Sequence, residues 1–524
     1  MPSKLILLAS TALAFSTCAN AQQPAPPAPA ENYNEFDEID AGTIVVTGQR
    51  QRGSVVGDIP PENVLDSRDV QATGATSINE LIEALAPQLG SARGRGGERP
   101  ILLLNGQRIS GFRELRDIPT EAIERVEILP EEVALKYGYR ADQRVMNVVL
   151  RERFRSTAAR TEVEVPTQGG NVDGEADVTR LLIGTNGRTT LNVHAEGNSM
   201  LTEDERDIAL IEPLGGAEGP REARSLTGSS RQIRAGATVN RTVLGNVGAT
   251  INGELEHNDG RSLIGLDELA LDPLARRTSS DSAHAGLALN WNKGDWRWSS
   301  TANADLGRSE TETDRSGESA LSRATSTTAS ADADITANGT LFALPAGKVG
   351  TTVKVGASTL HLNSRRRDAD DDNRTSLSRT SGRASVNFDL PLSSRRSDFK
   401  PLGNLTLNAN AEVEQLSDFG TLTILGGGAN WSPVDRLSII ASWTREDGAP
   451  SVQQLGNPLL ETPGSRVFDF TRGETVLATA ISGGNPDLLA DRRNVMKLGA
   501  NWQPLEETDL KLRAEYVRTR FADP

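Results

Sequence analysis

Histidine is the first residue to ask about metal or acid–base chemistry, and it occurs at His194, His257, His284 and His361. These positions are far apart and none has a partner at metal-ligand spacing, so each is expected to be solvated or to line an interior. The run Asp368-Ala369-Asp370-Asp371-Asp372 offers oxygen ligands of the kind calcium takes. It lacks the glycine and closing glutamate of a calcium loop and reads as a solvated acidic loop. Arg93-Gly94-Arg95-Gly96-Gly97-Glu98-Arg99 invites comparison with a phosphate cradle. No Lys-Ser or Lys-Thr follows it, and the next element is a strand instead of a helix N-terminus. No constellation for enzymatic chemistry remains, and neither a cofactor nor a resident metal is expected. A different chemistry is offered by Thr43-Ile44-Val45-Val46-Thr47-Gly48, a β-branched stretch in a polar setting. Its unpaired backbone donors and acceptors could add as a strand to a partner's sheet edge, or form a first structural strand.

The elements that would position these residues begin with an export signal. Lys4 precedes an apolar run from Leu5 to Phe15, and Ala19-Asn20-Ala21 has the small-x-small pattern of a cleavage site. Residues 1–21 are therefore expected to be a signal peptide. Cys18 is the only cysteine, so the mature chain would carry neither disulfides nor thiolate metal sites. Mean hydropathy is −0.41, and no later segment approaches the roughly 20 apolar residues of a spanning helix. A soluble multidomain chain or a β-barrel remains. A net charge of −15 disfavours a nucleic-acid partner, which needs a concentrated basic surface.

Residues 22–57 read as a flexible leader, with Pro and Ala followed by Glu and Asp. Residues 58–155 change to short strands and helices, as in a small α+β module. Ser77 with Glu80 predicts a capping box, Ile78, Leu81, Ile82 and Leu85 one helical face, and Pro87 its stop. Residues 100–104 predict a strand, Asn105-Gly106 a hairpin turn, and Gln107-Arg108-Ile109 the return. A helix is expected from about Thr120, passing into a strand over 126–129, and Val145, Met146, Val148, Val149 and Leu150 close the module.

Beyond Arg155 the pattern becomes alternation with turns. Ala285, Leu287, Leu289 and Trp291 share a face, residues 292–295 turn, and Trp296 and Trp298 return. Leu422 and Ile424 lead to Trp431, then Leu437, Ile439, Ala441 and Trp443 follow. This is hairpin grammar with one apolar face per strand. Tight turns such as Ala346-Gly347-Lys348 contrast with polar stretches at about 306–328 and 361–382, expected to be external loops. That asymmetry is expected of a transmembrane barrel whose apolar face meets outer-membrane lipid. The six tryptophans all lie beyond residue 290, as interfacial girdle residues would, although aromatic content is only 4%.

In order and spacing, Ile44-Val45-Val46-Thr47-Gly48, Ile78-Asn79-Glu80-Leu81, Leu103-Leu104-Asn105-Gly106 and Ile123-Glu124-Arg125-Val126-Glu127-Ile128-Leu129 resemble the plug domain of TonB-dependent receptors. So do Ala134-Leu135-Lys136-Tyr137-Gly138 and Val145-Met146-Asn147-Val148-Val149. Arg445 with Gly448-Ala449-Pro450-Ser451, and Gly484-Asn485-Pro486-Asp487-Leu488, resemble parts of the same family's barrel. One departure stands out: Tyr139-Arg140-Ala141-Asp142-Gln143-Arg144 has no glycine where the family has a Gly-rich turn.

The resemblance implies a mainly β fold: a small α+β plug, then an antiparallel transmembrane barrel over 156–524. It implies an outer-membrane receptor of a Gram-negative bacterium that imports a scarce small molecule: a siderophore, vitamin or oligosaccharide. The partner would be a TonB-type energy transducer of the inner membrane, gripping Thr43, Ile44, Val45, Val46 and Thr47. Arg93, Arg95 and Arg99 would lie at the plug apex toward the ligand. A signal-transducing receptor would need a further folded domain before Thr43, where only about 21 residues stand; a non-transporting β-rich surface protein is the other alternative. At roughly 25 residues per strand and connection, about 14 strands are expected, fewer than a large plugged barrel has, so the chain is expected to be a fragment with an unpaired terminal strand edge.

Overall fold

The computed structural model describes residues 51–522, except 57–58, 92–98, 208–220, 268–271, 316–320, 369–371, 396, 398, 506–509 and 511. Its N-terminal module is a five-stranded sheet: β1 (Asn63–Asp66), β2 (Ile101–Leu104), β3 (Gln107–Arg108), β4 (Ile123–Leu129) and β5 (Val145–Leu150), in the order β1-β4-β5-β2-β3. Asn105 and Gly106 take φ of 50° and 69°, the left-handed pair that a two-residue hairpin turn requires. Leu103 then pairs with Arg108, and β2 runs parallel to β5. Helix Ile78–Ala84 buries Ile78, Leu81 and Ile82 against one face of this sheet.

Three local expectations are corrected. Ser77 caps that helix by accepting from the Glu80 N–H at 3.3 Å, but the Glu80 carboxylate accepts from Thr76. Only half of the capping box forms. Pro87 opens a second short helix, Ala86–Leu89, since proline suits a first turn, where no amide donor is needed. At Thr120 there is a single 3₁₀ turn, Thr120–Ala122, and the strand already starts at Ile123. Isoleucine and valine at 123, 126 and 128 are fully enclosed between β1 and β5, and central-strand packing overrides the helical period.

From Phe154 the chain forms a fifteen-stranded antiparallel sheet in which each strand pairs with the next sheet strand in the chain, ending with Leu512–Ala522. Among the described residues, Phe154–Glu164 and Leu512–Ala522 each bond to one neighbour only. Two-residue connections at 185–186, 294–295 and 345–346 mark one end. Longer connections, including 199–228 and 449–490, mark the other.

The polar stretches expected to be external loops are mostly strand. Trp296–Asp314, Leu321–Leu344, Gly347–Arg367 and Asp372–Ser393 reach 19, 24, 21 and 22 residues, about twice the 9–11 that cross a membrane. Where both faces of a strand meet water no apolar alternation is needed, so the ladder continues invisibly to a periodicity argument. Leu422 and Ile424 are also reassigned. Both are buried on the inner face, whereas Leu425 and Trp431 face outward. Trp291 and Trp298 stack across strands at 6.0 Å. With Trp296, Trp431 and Trp502 they gather at the short-turn end, a girdle on one rim.

Candidate functional site: the plug–barrel interface

Where the barrel strands surround the N-terminal module they present two chemically distinct faces. Outward, cross-strand pairs such as Val178 with Val193, Val239 with Ile251, and Ile335 with Val355 are exposed. Inward, Thr179, Asn192, Thr250, Asn252, Glu254, Thr336 and Lys354 are buried against the N-terminal module. An apolar outside and a polar inside are what a lipid-embedded barrel requires.

The module fills this interior as a plug and is held there by charge. Arg108, at the end of β3, donates from Nη1 to Asp334 at 2.6 Å and from Nη2 at 3.1 Å, and also to Thr336 at 2.6 Å. Lys354 lies 3.4 Å from the same carboxylate. The ring of Tyr139 sits 4.7 Å from the Arg108 guanidinium and 5.4 Å from the Lys354 ammonium, so two cations share one carboxylate and one π face. Farther round, Arg113 and Arg116 both reach Glu254, and Arg113 reaches Asp305 at 2.9 Å. Ser110 donates to Asn252 at 2.8 Å.

Further pairs continue round the wall. Arg188 meets Glu114 at 3.1 Å with both side chains buried; burial pushes the Glu114 carboxyl up from its ordinary range, with the Arg188 charge opposing. Arg140 bridges Glu412 at 2.9 Å and Glu446 at 3.1 Å. Lys497 donates to Glu131 at 2.6 Å, with side-chain exposures of 3% and 1%, and Ser91 donates to the other Glu131 oxygen at 2.7 Å. The glycine-free stretch noted in the sequence thus supplies Tyr139 and Arg140 as barrel contacts.

At the short-turn end the first described residues are strapped beneath the plug sheet. The Val56 N–H donates to the Tyr137 hydroxyl at 3.0 Å, and that hydroxyl donates to the Gly106 carbonyl at 3.0 Å. Asn147 donates to Gly53 O and Arg125 to Arg52 O, each at 2.8 Å. Beside the strap opens a cavity of about 780 Å³, lined among others by Val56, Pro60, Lys136, Trp296, Asp389 and Ile440.

Of the residues singled out in the sequence, Thr43, Ile44, Val45, Val46 and Thr47 lie outside the described residues, as do Arg93 and Arg95. Arg99 is described, and its guanidinium lies 4.2 Å over the Phe112 ring. Residues 369–371 of the acidic run are likewise outside, while Asp368 accepts from Arg366 at 2.8 Å. His194 and His284 face inward, and His257 sits between Asp281 and Asp259 at 2.7 and 2.8 Å. Among the described residues, no group of three or more His, Cys, Asp or Glu could hold a metal. The interface pairs were missed in the sequence; the available signal was charge on the strand face opposite the apolar one, as at Glu254, Asp334 and Lys354.

A fifteen-stranded sheet around an α+β plug has solved counterparts. The siderophore receptor PirA from Pseudomonas aeruginosa superposes with a TM-score of 0.55 at 16% identity, covering 89% of this chain and 75% of that one. This chain has the plug-and-barrel fold of the TonB-dependent receptors. The ferric enterobactin receptor PfeA, solved in complex with BCV-L6, gives a TM-score of 0.57 at 12% identity, covering 89% of this chain and 72% of that one. The RagAB peptide transporter gives 0.53 at 8% identity, covering 88% and 68%. In sequence, the receptor-like chain is 23% identical over 248 residues to a probable TonB-dependent siderophore receptor, PirA, of Acinetobacter baumannii, and this match spans 44% of the chain and 31% of that relative. No family model matches. The receptor fold is one of the Gram-negative outer membrane, and no helix among the described residues is long and apolar enough to cross a membrane.

Proposed function

We propose that this chain is an energy-coupled outer-membrane importer of a scarce solute, with an iron-carrying siderophore as the favoured class. The observation that carries this reading is the plug's mode of attachment. It fills the lumen, and apart from an apolar contact at Leu181 the plug–wall contacts described above are ion pairs and hydrogen bonds, which water can replace when the plug moves. A strap of residues 52–56 leads from the plug sheet to the leader. An inner-membrane transducer that adds a strand to Thr43, Ile44, Val45, Val46 and Thr47 would pull on that strap first, and through Tyr137 and Gly106 on the hairpin bearing Arg108. The siderophore receptors among its relatives favour iron carriers over vitamins and oligosaccharides, and the peptide transporter among the structural neighbours marks the alternative cargo.

The test is competition between a deletion strain and its parent on limiting iron, limiting cobalamin, defined glycans and peptides as sole nitrogen source. The reading expects a deficit confined to iron limitation with siderophore supplied. Equal fitness in every condition would sink it.

A further inference from the structure

The connection 449–490, on the long-loop side, does not simply project outward. Ser451 caps the short helix Val452–Gly456 by accepting from Gln454 N at 3.1 Å. Ser364 donates to Gly456 O at 2.7 Å, and Arg379 to Pro450 O at 2.7 Å. The helix is thereby seated on the strands Gly347–Arg367 and Asp372–Ser393. A hairpin follows, Leu460–Asp469 with Glu474–Ser482. Its base is closed by Gly484 N to Asn457 O at 3.0 Å and Asn485 N to Gln454 O at 2.7 Å.

Glu461, at the start of this hairpin, gathers three arginines from separate parts of the rim. Its carboxylate accepts from Arg315 and from Arg366, each at 3.0 Å, and its main-chain carbonyl accepts from Arg276 at 2.6 Å. Arg276 and Arg366 belong to strands three steps apart in the sheet, Pro273–Lys293 and Gly347–Arg367, a separation of roughly 14 Å at strand spacing. The resident counter-ion is Asp368, 2.8 Å from Arg366 and 3.8 Å from Arg315. Without the Glu461 carboxylate, Arg315 and Arg366 would share Asp368 among the described residues. Arg315 is 40% exposed, so the cluster can be reached from outside.

We propose that Arg315 and Arg366 form an anion site for a carboxylate-bearing ligand, and that the Glu461 carboxylate occupies it as an internal surrogate. Guanidinium forks match planar carboxylates two bonds at a time. A ligand carrying several carboxylates displaces the single Glu461 and frees the hairpin from the rim. The proposal rests on the import reading only in taking that ligand to be cargo.

The test uses the full chain purified in detergent with tricarballylate, a metal-free tricarboxylate, as probe. Glu461→Gln should bind it about tenfold more tightly than the parent by calorimetry, the factor expected when the surrogate holds the site nine-tenths of the time. Arg315→Gln with Arg366→Gln should abolish binding. Tricarballylate should speed tryptic cleavage after Arg472, at the hairpin tip, in the parent and leave it unchanged in Glu461→Gln, where the hairpin is already free. Parent-like or weaker binding by Glu461→Gln overturns the proposal, as does cleavage at Arg472 that ignores the probe. These readouts need no uptake, so failure of import leaves them standing and their failure leaves import untouched.

Discussion

Replacing Lys497 by Met should loosen the plug at one identifiable point. Lys497 and Glu131 are 3% and 1% exposed and 2.6 Å apart. Removing the ammonium takes away the buried cation 2.6 Å from the Glu131 carboxylate, a change of the kind that costs about 3–5 kcal/mol. Ser91 still donates to Glu131 at 2.7 Å, which places the expected loss at the lower end, about 3 kcal/mol, or about a hundredfold in the equilibrium between seated and open plug at roughly 1.4 kcal/mol per tenfold. Hydrogen exchange reads this directly. The amides of Val133 and Tyr139, bonded to Pro130 O and Ala134 O at 3.1 Å, should exchange about a hundredfold faster, while amides in the barrel wall at Thr301 keep their rate. Pairing the change with Glu131→Gln should restore most of the protection, because the buried carboxylate is then gone as well. Acceleration below about fivefold, or the same acceleration throughout the wall, would refute the reasoning.

Arg188→Met tests a second buried pair through pH. Burial already holds the Glu114 carboxyl above its ordinary range, and loss of the opposing Arg188 charge raises it further. An acid whose folded-state pKa is raised destabilises the fold above that value and is relieved as pH falls toward the ordinary glutamate range. The variant's deficit in thermal unfolding should therefore be largest at neutral pH and shrink on acidification; a deficit independent of pH counts against the assignment. Gly106→Ala would place a methyl against Ser54 O at a φ of 69°, so strain of about 1–2 kcal/mol and a displaced strap are expected, read as faster exchange at the Val56 amide. Unchanged exchange there would show that the strap is not held by the turn.

The parts of this structure that were legible in sequence are those whose signal is local. Ser77 and the spacing of Ile78, Leu81 and Ile82 locate the first helix, and Asn105-Gly106 specifies its hairpin by backbone conformation alone. The turn between Trp291 and Trp296 is set the same way. At Ile123 the local signal was overruled, because its side chain is fully buried and it pairs with Leu150 at the start of a central strand. The outer halves of the long strands were illegible for a simpler reason, since Ser, Thr, Asp and Arg on both faces look like loop when both faces meet water. The plug–barrel site lay out of reach because its partners are remote: Glu131 and Lys497 are separated by 366 residues, and Arg108 and Asp334 by 226. Leu422 and Ile424 misled by type, since both are apolar yet buried on the inner face.

The central claim is that a pull on the leader drives import, and Val45→Pro tests it most directly. Proline removes one backbone donor from the segment that would add to the transducer's sheet and leaves the plug and barrel sequence unaltered. With a labelled ferric siderophore that the parent strain takes up, cells carrying the variant should bind the ligand at the surface with parental affinity and accumulate essentially none. Accumulation at the parental rate would contradict the account.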